Sequence, residues 1–344
     1  MADLQKQFLE FHNAIKLGTY DGKHANGVLR EKRDLIIDKL KSKLAERKDD
    51  GYPQYERSFN QGSYALNTGI KPIRAGDYDI DVGVLLSCHK EDYTDPVELK
   101  KLVEECIQHT NREVRIKHPC VTVTYKKDGV DDYHVDIPIY AKSNNVDDES
   151  YYLAKGKKGQ QDKDRFWQLS DPEGLTSIIN GLYKGNGTYE NDGSDQRKQF
   201  RRCVRYLKRW RNHKYVGIHS IGLTMAAYHW LEPEVEVKND GEVLLSLVKT
   251  ILNNFDYSGR LSINLPITPG GDLLKSVNDQ DMATIKERFE TLRDNLQSAV
   301  DEPDAHEASK TLRKSFGDDF PLVAKNDKAK KSNQAPYVST GTSA

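Results

Sequence analysis

Apolar and polar residues repeat with two different periods along the chain, and the change between them divides the sequence. From Tyr78 to Leu86, "YDIDVGVLL" alternates with period two, so Ile80 and Val82 face one side of a strand while Asp79 and Asp81 face the other. Upstream, "YERSFNQGSY" reads as a short strand entering a turn. Downstream, Asp95 to Asn111 opens with the Asp-Pro pair of a helix start, carries Val97, Leu99, Leu102, Val103, Cys106 and Ile107, and should cover the sheet. Two β-rich runs follow, joined at "KKDG", where Asp128-Gly129 is a hairpin signal, and Asp136 lies inside the second.

Elsewhere the period is helical. Asp3 to Leu17 and Gly27 to Lys48 come first, the latter with a stripe at Val28, Leu35, Ile36, Lys39, Leu40, Lys43 and Leu44. Helical patterns return at Asp171 to Tyr183, Asp195 to His213, His219 to Leu231, Gly241 to Asn253 and Asp279 to Val300. The polar stretch from Asn144 to Asp164, with "KGKKGQQDKD", reads as a mobile loop or insertion. The predicted architecture is α+β and bilobal. Residues 1–50 form N-terminal helices with a bracing helix, 51–165 a β-containing core, 166–323 a mostly α-helical second lobe and 324–344 a disordered tail.

Charge and composition narrow the function classes. Among 344 residues, 52 Lys plus Arg nearly cancel 53 Asp plus Glu, which argues against stable nucleic-acid binding through a global basic field. The start of the chain lacks a signal-peptide pattern and no segment approaches the roughly 18 apolar residues of a membrane span, so the expected location is cytoplasmic. Cys88, Cys106, Cys120 and Cys203 show no zinc-ligand spacing and are expected as reduced thiols.

The acids of the alternating strand change this picture most. Two carboxylates about 4 Å apart at an effective dielectric near 20 repel by about 4 kcal/mol, and Asp136 from a neighbouring strand adds to the cost unless a cation is present. Hard oxygen ligands select Mg²⁺ or Mn²⁺, and two such ions can hold the attacking and leaving oxygens of a phosphoryl displacement. A solvated edge-strand face is the competing explanation. Gly62-Ser63 favours the first reading, because a turn between a strand and a helix start offers N–H groups and a hydroxyl to nucleotide phosphates.

"QGSY", "DYDID" and "HVDIP" together resemble the nucleotidyltransferase superfamily with the DNA-polymerase-β-like core, and within it the bacterial cGAS/DncV-like nucleotidyltransferases (CD-NTases). "CVRYLKRWRN" followed by "IHSIGLTMAAYHW" is similar to the helical domain of these enzymes, and "NLPITPGGDLL" to a Pro-rich turn near its end. The resemblance implies that Asp79 and Asp81 bridge two Mg²⁺ or Mn²⁺ ions, that Asp136 is the third ligand, and that Gly62, Ser63, Lys208 and Ser220 bind the nucleotide. Asp77 is expected at the strand end or behind the ligands. Arg202, Arg205 and Arg209 are expected on a solvated basic helix face, and Ser220 has helix N-capping as an alternative role.

The implied activity is synthesis of a cyclic oligonucleotide second messenger from NTPs, with ATP among them, in anti-phage defence. A template-independent RNA nucleotidyltransferase and a non-catalytic nucleotide-binding regulator are the alternatives. Regulatory partner proteins encoded nearby are also implied, and the terminal "VSTGTSA" could thread into a partner or have no role.

Overall fold

The computed structural model describes residues 3–17, 25–73, 78–127, 130–183, 195–233, 239–267 and 269–325. Asp77, the expected hairpin signal Asp128-Gly129 and the tail beyond 325 lie outside the described residues.

One eight-stranded mixed sheet organises the first half. β1 (Tyr55–Gln61) runs antiparallel to β2 (Tyr78–His89), the long strand of the acids. Parallel to β2 lie β5 (Val130–Ile137) and β6 (Ile139–Lys142), separated at Pro138, whose carbonyl accepts from Val84 N at 2.9 Å. Proline supplies no N–H to a ladder, so the path breaks there. β3 (Glu113–Ile116) and β4 (Val121–Lys127) extend the sheet beyond β5, while β7 (Tyr151–Lys155) and β8 (Phe166–Ser170) extend it beyond β6. The polar stretch 144–164 is therefore not only loop: Tyr151 to Lys155 is a strand, because Leu153 and Ala154 bury on its two faces.

Alternation in β2 separates two environments. Ile80, Val82, Val84 and Leu86 enter a core closed by α2 (Ala25–Ala45) and α4 (Pro96–Ile107), each burial of this kind being worth about 1.5–3 kcal/mol. All six apolar positions expected on α4 are buried, and Asp95 caps it by accepting from Val97 N at 2.9 Å. On α2 the apolar face is rotated from the expected stripe: Leu29, Ile36, Ile37, Leu40 and Leu44 are buried, whereas Leu35 is 58% exposed. The opposite sheet face holds a small cluster of Phe59, Leu85, Tyr140 and Leu153, alongside the acids.

The second core is helical, drawing on α1 (Gln5–Ile15), α5 (Pro172–Gly181), α6 (Asp195–Lys214), α7 (Ser220–Trp230), α8 (Asp240–Asn253), α9 (Asp279–Asp301) and α10 (Ala305–Phe316). α10 was not among the expected helices, though Ala308, Leu312 and Phe316 follow the four-residue repeat of a buried stripe. Phe8 and Phe11 of α1 meet Phe316, Phe320 and Tyr206, so the two ends of the described chain are joined by aromatic contacts with centroids 5.0–6.5 Å apart. All four cysteines are buried and unpaired, as expected.

Candidate active site

Strand register sets the acids side by side. Gln61 of β1 pairs with Asp81, Asp81 with Asp136 of β5, and Asp136 with Thr122 of β4, so four strands contribute one row. Asp79 lies in the next row, opposite His134. Cross-strand partners share a sheet face, so Asp79, Asp81 and Asp136 all stand away from the α2–α4 core. Thr122 Oγ1 donates to Asp136 Oδ1, and Tyr140 donates to Gln61 Oε1 at 3.0 Å.

The phosphate-turn candidate is adjacent. Gly62 opens α3 (Gly62–Ala65) with φ +63°, and a Cβ on it would sit 2.1 Å from Asp81 Oδ2. Only glycine allows both the left-handed backbone and this approach to the carboxylate. Ser63 follows on the same short turn, and its carbonyl accepts from Thr68 N at 2.9 Å.

Behind that turn, residues 66–71 form a strap held by the helical core. Lys208 Nζ donates to Thr68 Oγ1 at 2.9 Å and to Thr68 O at 3.2 Å. Arg205 donates to the Asn67 and Gly69 carbonyls at 2.5 and 3.3 Å, and Arg209 to that of Lys71 at 2.9 Å. Arg205 also donates to His12 Nε2 at 2.9 Å; burial and Arg205 hold that imidazole at about 3, in its neutral accepting form. Arg202 forms a pair with the fully buried Asp240, bonding at 2.6 and 2.8 Å.

The expectation of a solvated basic face is thus overturned. Arg202, Arg205 and Arg209 are 8, 6 and 2% exposed, because backbone carbonyls, the buried Asp240 and, for Arg209, the partly exposed Asp319 replace water as their partners. Lys208, 4% exposed, is bonded inside the strap. Ser220 is the first residue of α7 and does not cap it; the cap position is His219, with no side-chain cap bond. In the Pro-rich turn, Asp272 Oδ1 accepts from Ile263 N and Leu274 N at 3.0 and 2.9 Å, which ties the turn to itself.

Electrostatics marks the acid row as strained in the absence of cations. Burial, then Asp79 and Asp136, push the Asp81 carboxyl up to about 7, with Lys208 opposing. Asp79 is raised by burial and by Asp136. Burial and Arg205 bring Lys208 down to about 7, offset in part by Asp79 and Asp81. The charge of Asp79 also reaches Arg211, whose guanidinium is lowered by burial.

Carboxylates that repel in this way suit a hard divalent cation by their chemistry. Among the described residues, however, no three His, Cys, Asp or Glu side chains converge on a single point as a closed metal cage. Asp136 is turned to Thr122 and Asp81 packs on Gly62, so binding a cation requires side-chain rotation rather than a preformed cage. Thr122, Thr68 and Arg211 escaped the sequence reading. For Thr122 a signal existed, since Thr122 and Thr124 alternate with valines beside the strand of Asp136.

Residues 56–140 match the family model of the nucleotidyltransferase domain described as cyclic GMP-AMP synthase DncV-like. Over those residues the chain carries a domain similar to the DncV-like nucleotidyltransferases. The matched segment holds Gly62, Ser63, Asp79, Asp81 and Asp136, whereas Lys208 and Ser220 lie beyond it.

The DncV-like architecture extends over nearly the whole chain. The CD-NTase CdnG of Bradyrhizobium diazoefficiens, solved in complex with GTP, is 18% identical with a TM-score of 0.67, covering 92% of this chain and 96% of that one. CdnC of E. coli MS115-1, solved with ATP, is 18% identical at TM-score 0.65, covering 92 and 98%; the same protein is also solved in complex with HORMA-deltaN. The cyclic AMP-GMP synthase DncV of Vibrio cholerae is 20% identical at TM-score 0.60, covering 93 and 87%. At these identities the likeness is one of fold. No helix among the described residues is long and apolar enough to cross a membrane.

Proposed function

We infer that this DncV-like nucleotidyltransferase joins NTPs into a cyclic oligonucleotide, with ATP among its substrates, as a signal in anti-phage defence. The observation that carries the reading is the in-register row of Asp81 and Asp136, with Asp79 on the same face, against the left-handed Gly62 of the phosphate turn. A binding-only site gains nothing from acids that repel to this extent.

Gly62 and Ser63 receive the triphosphate of the donor nucleotide, through N–H groups and the Ser63 hydroxyl. Asp79, Asp81 and Asp136 would hold two Mg²⁺ or Mn²⁺ ions, which would supply positive charge to neutralise the phosphates and acidify the attacking hydroxyl. That sugar hydroxyl forms a new bond to the α-phosphorus as the bond to the β-phosphate oxygen breaks, and pyrophosphate leaves. Its proton departs through the Asp136 oxygen not held by Thr122. Lys208 moves from Thr68 onto the phosphates, and the Ser220 hydroxyl at the start of α7 joins it. A second transfer closes the ring. A regulatory partner protein sets when this occurs, a reading supported by the complex that CdnC forms with HORMA-deltaN.

Incubation with labelled NTPs and Mg²⁺ or Mn²⁺ tests the reading. A phosphatase-resistant product, resolved by mass spectrometry and accompanied by pyrophosphate, is expected. Extension of added RNA instead identifies an RNA nucleotidyltransferase, and absence of pyrophosphate under every condition overturns both.

A further inference from the structure

The acid-bearing face of the sheet continues past Asp136 onto two strands that the mechanism above leaves unused. In β7, Leu153 pairs with Tyr140 and lies with it on the acid side, while Ala154 lies on the helix side. Lys155 therefore returns to the acid side, two residues beyond Leu153 and level with Pro138, which is itself two residues from Asp136. β8 repeats the pattern. Phe166 pairs with Lys155 and Gln168 with Leu153, while the intervening Trp167 packs on the helix-side core.

Lys155 is half-buried, and its side chain has neither a hydrogen bond nor an ion pair among the described residues. Two titratable groups bear on it: Cys120, whose thiol burial pushes up to about 12 so that it stays neutral, and Lys100 of α4, a like charge, so neither supplies a counter-charge. Desolvating a lysine without a counter-charge costs free energy that an anionic ligand returns. Beside it, the Phe166 ring is 44% exposed and the Gln168 side chain is exposed. An exposed aromatic offers a stacking surface to any base, and an amide can read a base edge.

Across the sheet the order is thus phosphate turn, Asp79 with Asp81, Asp136, an unpaired cation, then an exposed ring with an amide. The donor triphosphate occupies the Gly62 end. The far end lies on the side of Asp136, where the attacking hydroxyl is placed.

We propose that Lys155, Phe166 and Gln168 form the platform for the acceptor nucleotide, with Lys155 on its 5′-phosphates, Phe166 stacked on its base and Gln168 at the base edge. This rests on the nucleotidyl-transfer reading above. It makes the β7–β8 pair the part of the sheet that selects the attacking nucleotide.

The test separates donor from acceptor. 2′,3′-DideoxyATP has no hydroxyl with which to attack, and ADP has no triphosphate to donate, so together they form one linear dinucleotide, quantified by mass spectrometry. Lys155→Ala and Phe166→Ala in the full chain are expected to raise the ADP KM about tenfold and leave the dideoxyATP KM within about twofold. Lys155→Arg should retain most of the ADP affinity. With adenosine replacing ADP, the effect of Lys155→Ala should vanish while that of Phe166→Ala persists. Unchanged ADP KM in both alanine variants, or equal rises in both KM values, overturns the platform. If the unaltered protein releases no pyrophosphate from any NTP, the nucleotidyl-transfer reading fails instead; equilibrium binding of ADP by the unaltered protein and by Phe166→Ala then decides the platform separately, equal affinities refuting it.

Discussion

β2 and α6 both carry charged side chains into poorly hydrated surroundings, and the protein treats their charges in opposite ways. In β2 the charged positions alternate with buried ones and stand on one face, where they repel each other. In α6, Arg197, Arg201, Arg202, Arg205, Lys208 and Arg209 are all buried around the helix. The difference lies in the partners. α6 cations donate to carbonyls of the strap, to the Asn180 side chain and backbone, and to Asp240, whereas the acids are gathered with a threonine donor and the charges of Lys208, His134 and Arg211 offsetting them in part. Charge gathered without a full counter-charge marks a place for a ligand, and charge paired with fixed carbonyls or with Asp240 marks scaffold. Lys208, which both the strap and the acids feel, stands between the two.

Three experiments break or sharpen this contrast. The largest expected effect is on activity: Asp81→Asn should lower pyrophosphate release by about 10³-fold or more while leaving the Tm unchanged or higher, since it removes a repelling charge. A loss of Tm together with activity would place Asp81 in the scaffold. Next, Arg202→Ala leaves Asp240 buried without its cation and should cost about 3–5 kcal/mol in urea denaturation. A cost under about 1 kcal/mol would remove the scaffold half of the comparison.

The smallest effect is on the pH dependence of stability. The Asp81 carboxyl is raised in the folded state, to about 7, so the folded protein binds its proton more tightly than the unfolded chain does. Its contribution is fully present below the ordinary carboxylate range and is lost as pH rises toward about 7. Metal-free protein should therefore lose stability across that window, and Asp81→Asn or millimolar Mn²⁺ should flatten the slope. Lys208, lowered to about 7, acts with the opposite sign above that pH, so the two windows are separable by thermal melts at graded pH. An unchanged slope in Asp81→Asn would show that neither burial nor the neighbouring acids raise the Asp81 carboxyl in the folded state.

How far these regions were legible follows from the same physics. Period-two alternation placed Ile80 and Val82 in the core and Asp79 and Asp81 opposite, because one face of the strand is dry and the other polar. The same rule misreads α6, where a charged residue is taken as solvated although a carbonyl serves a guanidinium as well as water does. The strand at Tyr151 to Lys155 was hidden by its polar flanks, and on α2 the choice between Leu35 and Ile37 depended on which way the sheet lies.

By itself the sequence determined the local geometry: the alternating acids, the Gly62-Ser63 turn, the Asp95 cap and most helices, since each depends on neighbours a few residues away. Only the tertiary structure decided that Asp136 stands beside Asp81, that Gly62 abuts its carboxylate, and that Arg205 and Lys208 serve a strap more than a hundred residues distant. Register between strands and the partners of a buried charge are long-range quantities, and no window of sequence contains both members of the pair.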